Sequence, residues 1–384
     1  MVAAVRRGAS LRAVGRQFGV SLRTVQVWVA RAQGQRLDRV DWRSRRPGRR
    51  WPVNRVPRRV EARVLVLRRR LRTTDVLGEY GAIAIRRALE AEGTRPLPAV
   101  RTIGRILTRY GAVERRRRVR RPPPPPGWYL PAVAARSVEL DLFDLIEDLK
   151  LADGPRFDVL TGVALHSAWP TAWPLLHPRT TQILRCLVAH WHTAGLPRYA
   201  QFDNDTRFQG AHQHPDVFGR AVRLCLQLGI TPVFVPPREF GLQNPIESFN
   251  ALFTAKVWQR FHFPTLAAFG AHATRYLTAR RQRLAARITS APARHPWPLA
   301  WQWQPRRLPA AGVIYIRRTD DRGTINLLGH TWRVDPHWCH RLVRAEVDLA
   351  QEQIRRFALR RSAPAEQPIL QVLNYTYPHP DLER

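Results

Sequence analysis

The chain is poor in cysteine, in lysine and in long apolar runs. Its three cysteines, Cys186, Cys225 and Cys339, are odd in number, widely spaced and form no Cys-x-x-Cys pair. That argues against a disulfide framework and against a cysteine-type zinc site, and it fits a reducing cytosol. With no signal peptide and no apolar run of about 18 residues, no membrane span is expected. Lys150 and Lys256 are the only lysines, so nearly all of the 64 basic residues are arginine, set against 29 acids for a net charge of +35. A GC-rich genome accounts for arginine in place of lysine, but it does not account for the excess over acids. Guanidinium groups fork onto phosphate, and a surplus of this size points to a polyanion, with nucleic acid the default partner. Thirteen tryptophans, many beside arginine, mostly suit core filling. At 384 residues the chain calls for two to four domains.

Residues 7–33 (RRGASLRAVGRQFGVSLRTVQVWVARA) hold two short helical periods joined by a turn at Gly19. Ser10 and Ser21 stand where N-caps belong, and Leu11, Val14, Phe18, Val25 and Trp28 form the inward face. The spacing predicts a helix-turn-helix over 1–35 whose second helix, Leu22 to Ala32, offers Arg23 and Gln26 to a DNA major groove; a hairpin used only for packing is the plainer alternative. The polar, basic stretch 35–56 reads as a linker. A second all-α, helix-turn-helix-like module is expected over 57–113: a basic helix (58–71), then GEYGAIAIRRALEAEG (78–93) and Pro98 opening AVRTIGRILTRYG, the last two again reading as helix-turn-helix with Arg101, Thr102 and Arg105 outward. Residues 114–135 begin with ERRRRVRRPPPPP, a charge run and a polyproline segment expected to form a stiff exposed tether.

The pattern changes over 136–290. Strand-like SVELDLFDLIEDLKL, RFDVLTGVAL, a short run near WPTAWPLL, YAQFD and TPVFV are interspersed with helix-like TTQILRCLVAHWHTAG and VFGRAVRLCLQLG. A hairpin, a third strand, then helix–strand–helix–strand is the order of an α/β RNase H-like core, a mixed sheet with flanking helices. Helical sequence runs on to about Arg287, and 291–309 is a Pro- and Trp-rich connection. From Gly312 the runs GVIYIRR, TINLLGHTWRV, RLVRAEVDL and ILQVLNYTY predict a small β-barrel over 310–384.

Acids in the middle region have the pattern of a chemical site. Asp203 ends a short apolar strand, and Glu247 opens an amphipathic segment just after Pro245, a residue suited to the first turn of a helix. Upstream, the first strand offers Asp141 and Asp144. Two strand-borne aspartates and a helix-borne glutamate are what a two-metal phosphoryl-transfer site needs, with Mg²⁺ ions roughly 3.5–4 Å apart clamping the attacking and leaving oxygens. In so basic a chain the matching phosphodiester is DNA. The plainer alternative for each acid is a salt bridge to one of the many arginines. His190/His192 and His212/His214 have no cysteine partners nearby and are expected in core or on surface, with no zinc.

Taken in order, these segments resemble the DDE transposases and retroviral-type integrases of bacterial insertion sequences. FDNDTRFQG (202–210) is similar to the family's T-D-N-G-x-x-F, and GLQNPIESFN (241–250) to its G-x-x-N-G-x-V-E-x-x-N. The resemblance spans nearly the whole chain. It implies that Asp203 and Glu247 are catalytic metal ligands and that Asn204 supports the former. The family's first aspartate lies on strand one at a set interval before the aromatic that starts strand two. Asp144 and Phe157 match that interval, which makes Asp144 the expected first ligand and Asp141 the runner-up. Glu239 follows Asp203 at the family's usual interval, but it sits in the loop PPREFG, so Glu247 is preferred. The chain departs from the family at Asp205, where glycine is usual, at Pro245, and at Thr254, where a basic residue is usual and Lys256 or Arg260 is the nearest substitute. The implied activity is Mg²⁺-dependent cleavage of DNA 3′ ends and strand transfer, using two ions that Mn²⁺ can replace. The implied partners are an element's terminal inverted repeats, bound through Arg23, Gln26, Arg101 and Arg105, target DNA, and further copies of the chain, in the bacterial cytoplasm at the nucleoid. The alternative is a decayed or domesticated transposase acting as a DNA-binding protein.

Overall fold

The computed structural model of the chain describes residues 1–43, 56–113, 124–152, 154–210, 215–236, 239 and 241–378. The expected basic tether at 114–123, most of the 35–56 linker, and His212 and His214 lie outside the described residues. The chain divides into two compact units, Met1–Arg58 and Arg59–Arg384.

The first unit contains helices α1 (Val2–Arg6), α2 (Leu11–Gln17) and α3 (Leu22–Ala32), then a 3-10 turn at Leu37–Arg39. The Ser10 and Ser21 hydroxyls accept from the Ala13 and Thr24 backbone N–H at 3.3 and 3.2 Å, capping α2 and α3. Gly19 adopts φ 62°, which lets the chain turn between them. Val14 and Val25 are fully buried, whereas Phe18, expected inward, stands at the end of α2 and is 49 % exposed. Arg23 and Gln26 lie on the exposed face of α3.

The second unit opens with α4 (Arg58–Thr74), whose first residue lies at the boundary, followed by α5 (Ala82–Ala91) and α6 (Val100–Arg109). Val64, Leu67, Ile85, Leu89, Ile103 and Ile106 are buried in these helices. Glu61, almost fully buried on α4, accepts from Arg109 at 2.9 Å and from the Tyr110 hydroxyl at 3.0 Å, closing α6 onto α4. Arg101 and Arg105 remain exposed on α6.

A short helix, α7 (Pro131–Ala134), precedes β1 (Leu140–Lys150), β2 (Arg156–Ala164) and β3 (Pro170–Leu175), which pair antiparallel in succession. Helix α8 (Thr180–Ala194) crosses to β4 (Tyr199–Phe202), parallel to β1; α9 (Thr206–Gln209) and α10 (Arg220–Gln227) lead to β5 (Thr231–Phe234), parallel to β4. Then come α11 (Asn244–Phe253), a π-helical turn (Thr254–Trp258), α12 (Leu266–Arg283) and α13 (Ala285–Thr289). Order β3-β2-β1-β4-β5 with flanking helices is the expected RNase H-like arrangement. The sheet separates two apolar cores. One contains Phe143, Ile183, Trp191, Phe202 and Leu224 on the α8–α10 side. The other contains Leu142, Ile246, Phe249, Phe253, Phe269 and Tyr276 on the α11–α12 side.

The C-terminal strands correct the expectation of a separate barrel over 310–384. β6 (Gly312–Arg318) pairs parallel with β5 through Val233 to Ile314 and Phe234 to Tyr315. β7 (Thr324–Leu327) and β8 (His330–Arg333) form their own hairpin, while β9 (Leu342–Asp348), β10 (Gln353–Leu359) and β11 (Ile369–Asn374) continue the main sheet antiparallel. The result is one open sheet of nine strands among the described residues. The physical reason is an edge: β5 would otherwise present unpaired backbone groups, and β6 covers them while adding Tyr315 to one core and Ile314 to the other. β10 escaped the sequence reading because Arg355 and Arg356 interrupt its apolar alternation. Arg356 is nonetheless fully buried, donating to the Arg333 carbonyl at 2.8 Å and Gln371 Oε1 at 2.7 Å with its guanidinium 5.2 Å from the Trp332 ring centroid. Among the described residues no helix is long and apolar enough to cross a membrane.

Candidate carboxylate site

Residues three apart on a strand face opposite sides of the sheet, and β1 uses this to separate its two candidate aspartates. Asp141 shares the parity of Phe143 and points to the α8 side. There its carboxylate is fully buried, ion-paired with Arg294, and hydrogen-bonded by His190 Nε2 at 3.0 Å and the Trp191 indole at 3.2 Å. Burial opposes its charge, but Arg294 and His190 outweigh burial and hold it well below the usual carboxylate range. Its oxygens are thus fully engaged in holding the core.

Asp144 shares the parity of Leu142 and points toward α11. Asp144 Oδ1 accepts from the Leu145 N–H at 2.9 Å, and Oδ2 accepts from Asn250 Nδ2 at 2.8 Å. The Thr161 hydroxyl, on the neighbouring strand, stands 2.7 Å from Asn250 Oδ1 and 3.0 Å from the Asp144 carbonyl. Asp203 follows the last residue of β4, the strand beside β1, and its Oδ1 accepts from the Asp205 N–H at 3.1 Å. Asn204 donates from Nδ2 to the Val235 carbonyl at 2.9 Å, tying this turn to the end of β5. Glu247 lies in the first turn of α11, after Pro245, and is exposed. A carboxylate there is favoured by the positive end of the helix.

Asp144 feels the charge of both other acids. Burial pushes Asp144 up to about 6, and Asp203, Glu247 and Glu147 add to the rise, against the Leu145 N–H. Asp203 is raised as well, by burial first and then by Asp205 and Glu147, with the Asp205 N–H and Arg207 opposing. Carboxylates that repel one another in a half-buried space are relieved by a cation. Their all-oxygen donor set fits a hard divalent ion. Among the described residues no group of three or more His, Cys, Asp or Glu side chains is placed so that it could hold a metal ion.

Two departures from the family pattern acquire structural roles. Asp205 caps α9 through the Arg207 N–H at 2.7 Å and pairs with the Arg207 side chain, which also reaches Glu147 at 2.5 Å and Asp158 at 3.6 Å. The added carboxylate therefore arrives with its own counter-charge. Thr254 begins the π-helical turn, and the two basic residues considered as its substitutes are engaged elsewhere: Lys256 donates to the Gly78 carbonyl at 3.0 Å, and Arg260 to the Asp75 carbonyl at 2.6 Å. Glu239 is held by Arg318 at 2.6 Å and by Arg361, joining the loop after β5 to the C-terminal strands. His192 is exposed beside Trp297, with ring centroids 5.5 Å apart.

The sequence reading missed three residues. Asn250 was visible in the E-x-x-N spacing, which puts it about one turn beyond Glu247 on the same helix face. Arg207 lay inside a quoted motif without a role, and Thr161 gave no local signal.

No family model matches the chain, and no curated protein does. Among solved structures, it is similar to the catalytic core domain of BIV integrase at 16% identity, over 36% of this chain and 81% of that one, with a TM-score of 0.28. It is also similar to a chain of the simian T-cell lymphotropic virus intasome in complex with PP2A regulatory subunit B56 gamma. That match has 13% identity over 68% of this chain and 84% of that one, with a TM-score of 0.33.

Proposed function

We propose that the chain is a DDE-type polynucleotidyl transferase acting on double-stranded DNA, a transposase or integrase that cleaves the 3′ ends of a DNA element and joins them to target DNA. The observation that carries this reading is that Asp144, raised first by burial, is raised further by the charges of Asp203, which follows the adjacent strand, and of Glu247, in the first turn of a helix. Asp144, Asp203 and Glu247 would hold two divalent ions, Mg²⁺ with Mn²⁺ able to substitute. Bound there, the ions supply Lewis-acid activation of an attacking oxygen and charge relief at the leaving oxygen. Asn250 and the Leu145 N–H orient the Asp144 carboxylate, Asn204 anchors the turn behind Asp203, and Arg207 balances the outer acids.

The arginine excess suits a long phosphate backbone, and Arg23, Gln26, Arg101 and Arg105, all exposed, are proposed to contact the element's terminal inverted repeats. Joining two ends calls for a homo-oligomer on DNA. The setting proposed with this reading is the bacterial cytoplasm, at the nucleoid. The test is incubation with duplexes carrying the sequences that flank the gene, in Mg²⁺. Nicking at a 3′ end and strand transfer are expected, both abolished by Asp203→Asn and by Glu247→Gln with duplex binding retained. Specific binding by the parent protein without cleavage would instead favour a DNA-binding protein.

A further inference from the structure

Helix α11, which carries Glu247, runs straight into the π-helical turn Thr254–Trp258, and this turn grips the connection between α4 and α5. Lys256 Nζ donates to the Gly78 carbonyl at 3.0 Å and lies 5.0 Å from the Tyr80 ring centroid. Arg260 reaches three carbonyls at the end of α4: Asp75 at 2.6 Å, Thr73 at 3.0 Å and Arg72 at 3.1 Å. The last carbonyls of a helix lack intrahelical partners and carry its negative end, so a guanidinium is well matched to them. Leu77, 6 % exposed, enters the same apolar cluster as Ile246, Phe249, Phe253 and Val257 of α11 and the turn. Glu79 completes the joint, pairing with Arg87 of α5 at 2.8 Å and Arg283 of α12 at 3.5 Å. The approach is so close that a Cβ on Gly78, already at φ 60°, would stand 2.8 Å from Lys256 Cδ.

This joint does more than any single packing contact requires. Four backbone carbonyls within seven residues, Arg72 to Gly78, are satisfied by two cations from the segment that continues the Glu247 helix. A π-turn has poorer hydrogen-bond geometry than an α-helix and tends to persist where function selects it. We propose that Lys256 and Arg260 are positioning residues: through them, DNA bound on α4–α6 fixes α11, and with it Glu247, in the working geometry. The proposal rests on the function proposed above, in which α4–α6 engage DNA ends.

The experiment compares the full chain with Lys256→Met/Arg260→Met, with Lys256→Arg, and with Gly78→Ala, which disturbs the joint without removing either cation. Two readouts are taken, steady-state cleavage of an end duplex and hydrogen exchange of residues 244–258 with and without that duplex. Since a displacement on the order of 1 Å can cost about 100-fold in rate, the double variant is expected to lose at least about 10-fold in kcat with KM for duplex nearly unchanged. Lys256→Arg, which keeps a donor and a cation over Tyr80, restores most of the rate. In the parent, duplex slows exchange over 244–258; in the double variant and in Gly78→Ala it does not.

Equal kcat in parent and variants overturns the proposal, as does a fall in kcat with duplex-induced protection intact. If the double variant fails to fold, Gly78→Ala decides by the same criteria. A parent that does not cleave sinks the catalytic reading alone, because the exchange readout still reports coupling: protection lost in the variants upholds it, and protection shared by all refutes it.

Discussion

Asn250 donates its side-chain amide to Asp144 Oδ2 at 2.8 Å and so ties the helix bearing Glu247 to the strand bearing Asp144. A neutral donor at this point orients the carboxylate without adding charge to a crowded acidic space. Removing a group that orients a metal ligand costs about 10–100-fold in activity or metal affinity. Asn250→Ala is therefore expected to cleave DNA about 10–100-fold more slowly, with duplex binding unchanged. Asn250→Asp, which introduces a fourth carboxylate, is expected to be worse than alanine. Steady-state cleavage with a parallel binding titration checks both, and alanine activity equal to the parent's would remove Asn250 from this role.

The two aspartates of β1 are expected to fail in different ways. Asp144→Asn should leave the fold intact and abolish cleavage. Asp141→Asn should unfold more readily, because Arg294, with only 12% of its side chain exposed, loses its counter-charge. Breaking a buried pair by removing one partner costs about 3–5 kcal/mol. Urea unfolding followed by circular dichroism, alongside a cleavage assay at low temperature, separates the two. A stable, inactive Asp141→Asn beside an active Asp144→Asn would reverse the assignment.

What could be read in advance follows from the range of each interaction. The acid-bearing strands and helix of the core were legible because apolar alternation, a proline at a helix start and the two quoted motifs are all local. The contrast in surroundings between Asp141 and Asp144 was not legible locally. It depends on Arg294 and His190, which reach Asp141 from 153 and 49 residues away. The pairing of β6 with β5 was invisible for the same reason: local pattern reveals a strand but not its neighbour. Arg356 shows a second limit, since a fully buried arginine reads as a surface residue until Gln371 and the Arg333 carbonyl are placed beside it.

Acid should weaken the fold through His190. Burial lowers its pKa against the pull of Asp141, with Arg294 and Arg281 adding to the fall, so the folded state excludes a proton that the unfolded chain binds. The stability associated with neutral His190 is present above its unfolded pKa of about 6.5 and is lost as pH falls below it. Asp141, held low, adds a loss in the same direction at more acid pH, while Asp144, pushed up to about 6, works the opposite way. Comparing the parent with His190→Gln at each pH isolates the histidine. The stability advantage of the parent should narrow between about pH 7.5 and about pH 5, as measured by urea midpoints. An advantage independent of pH would show that His190 does not titrate across that range.

DNA binding should divide along the structural boundary at residue 58. Residues 59–384 form one compact unit, so removing 1–58 is expected to leave a folded protein that still carries Arg101 and Arg105 on α6. Each neutralised phosphate contributes about −0.9 to the slope of log K against log salt. If α3 contributes base contacts through Arg23 and Gln26, the truncated protein should bind any duplex with a shallower slope and a reduced preference for the element's ends. Arg101→Ala/Arg105→Ala in the full chain separates two possibilities on α6. A slope shallower by about 2 with preference intact marks phosphate contacts, whereas an unchanged slope with a loss of about 1–3 kcal/mol per base pair read marks base contacts. A truncated protein that selects the ends as well as the full chain, with the same salt slope, would remove the first three helices from recognition and leave α4–α6 as its main reader.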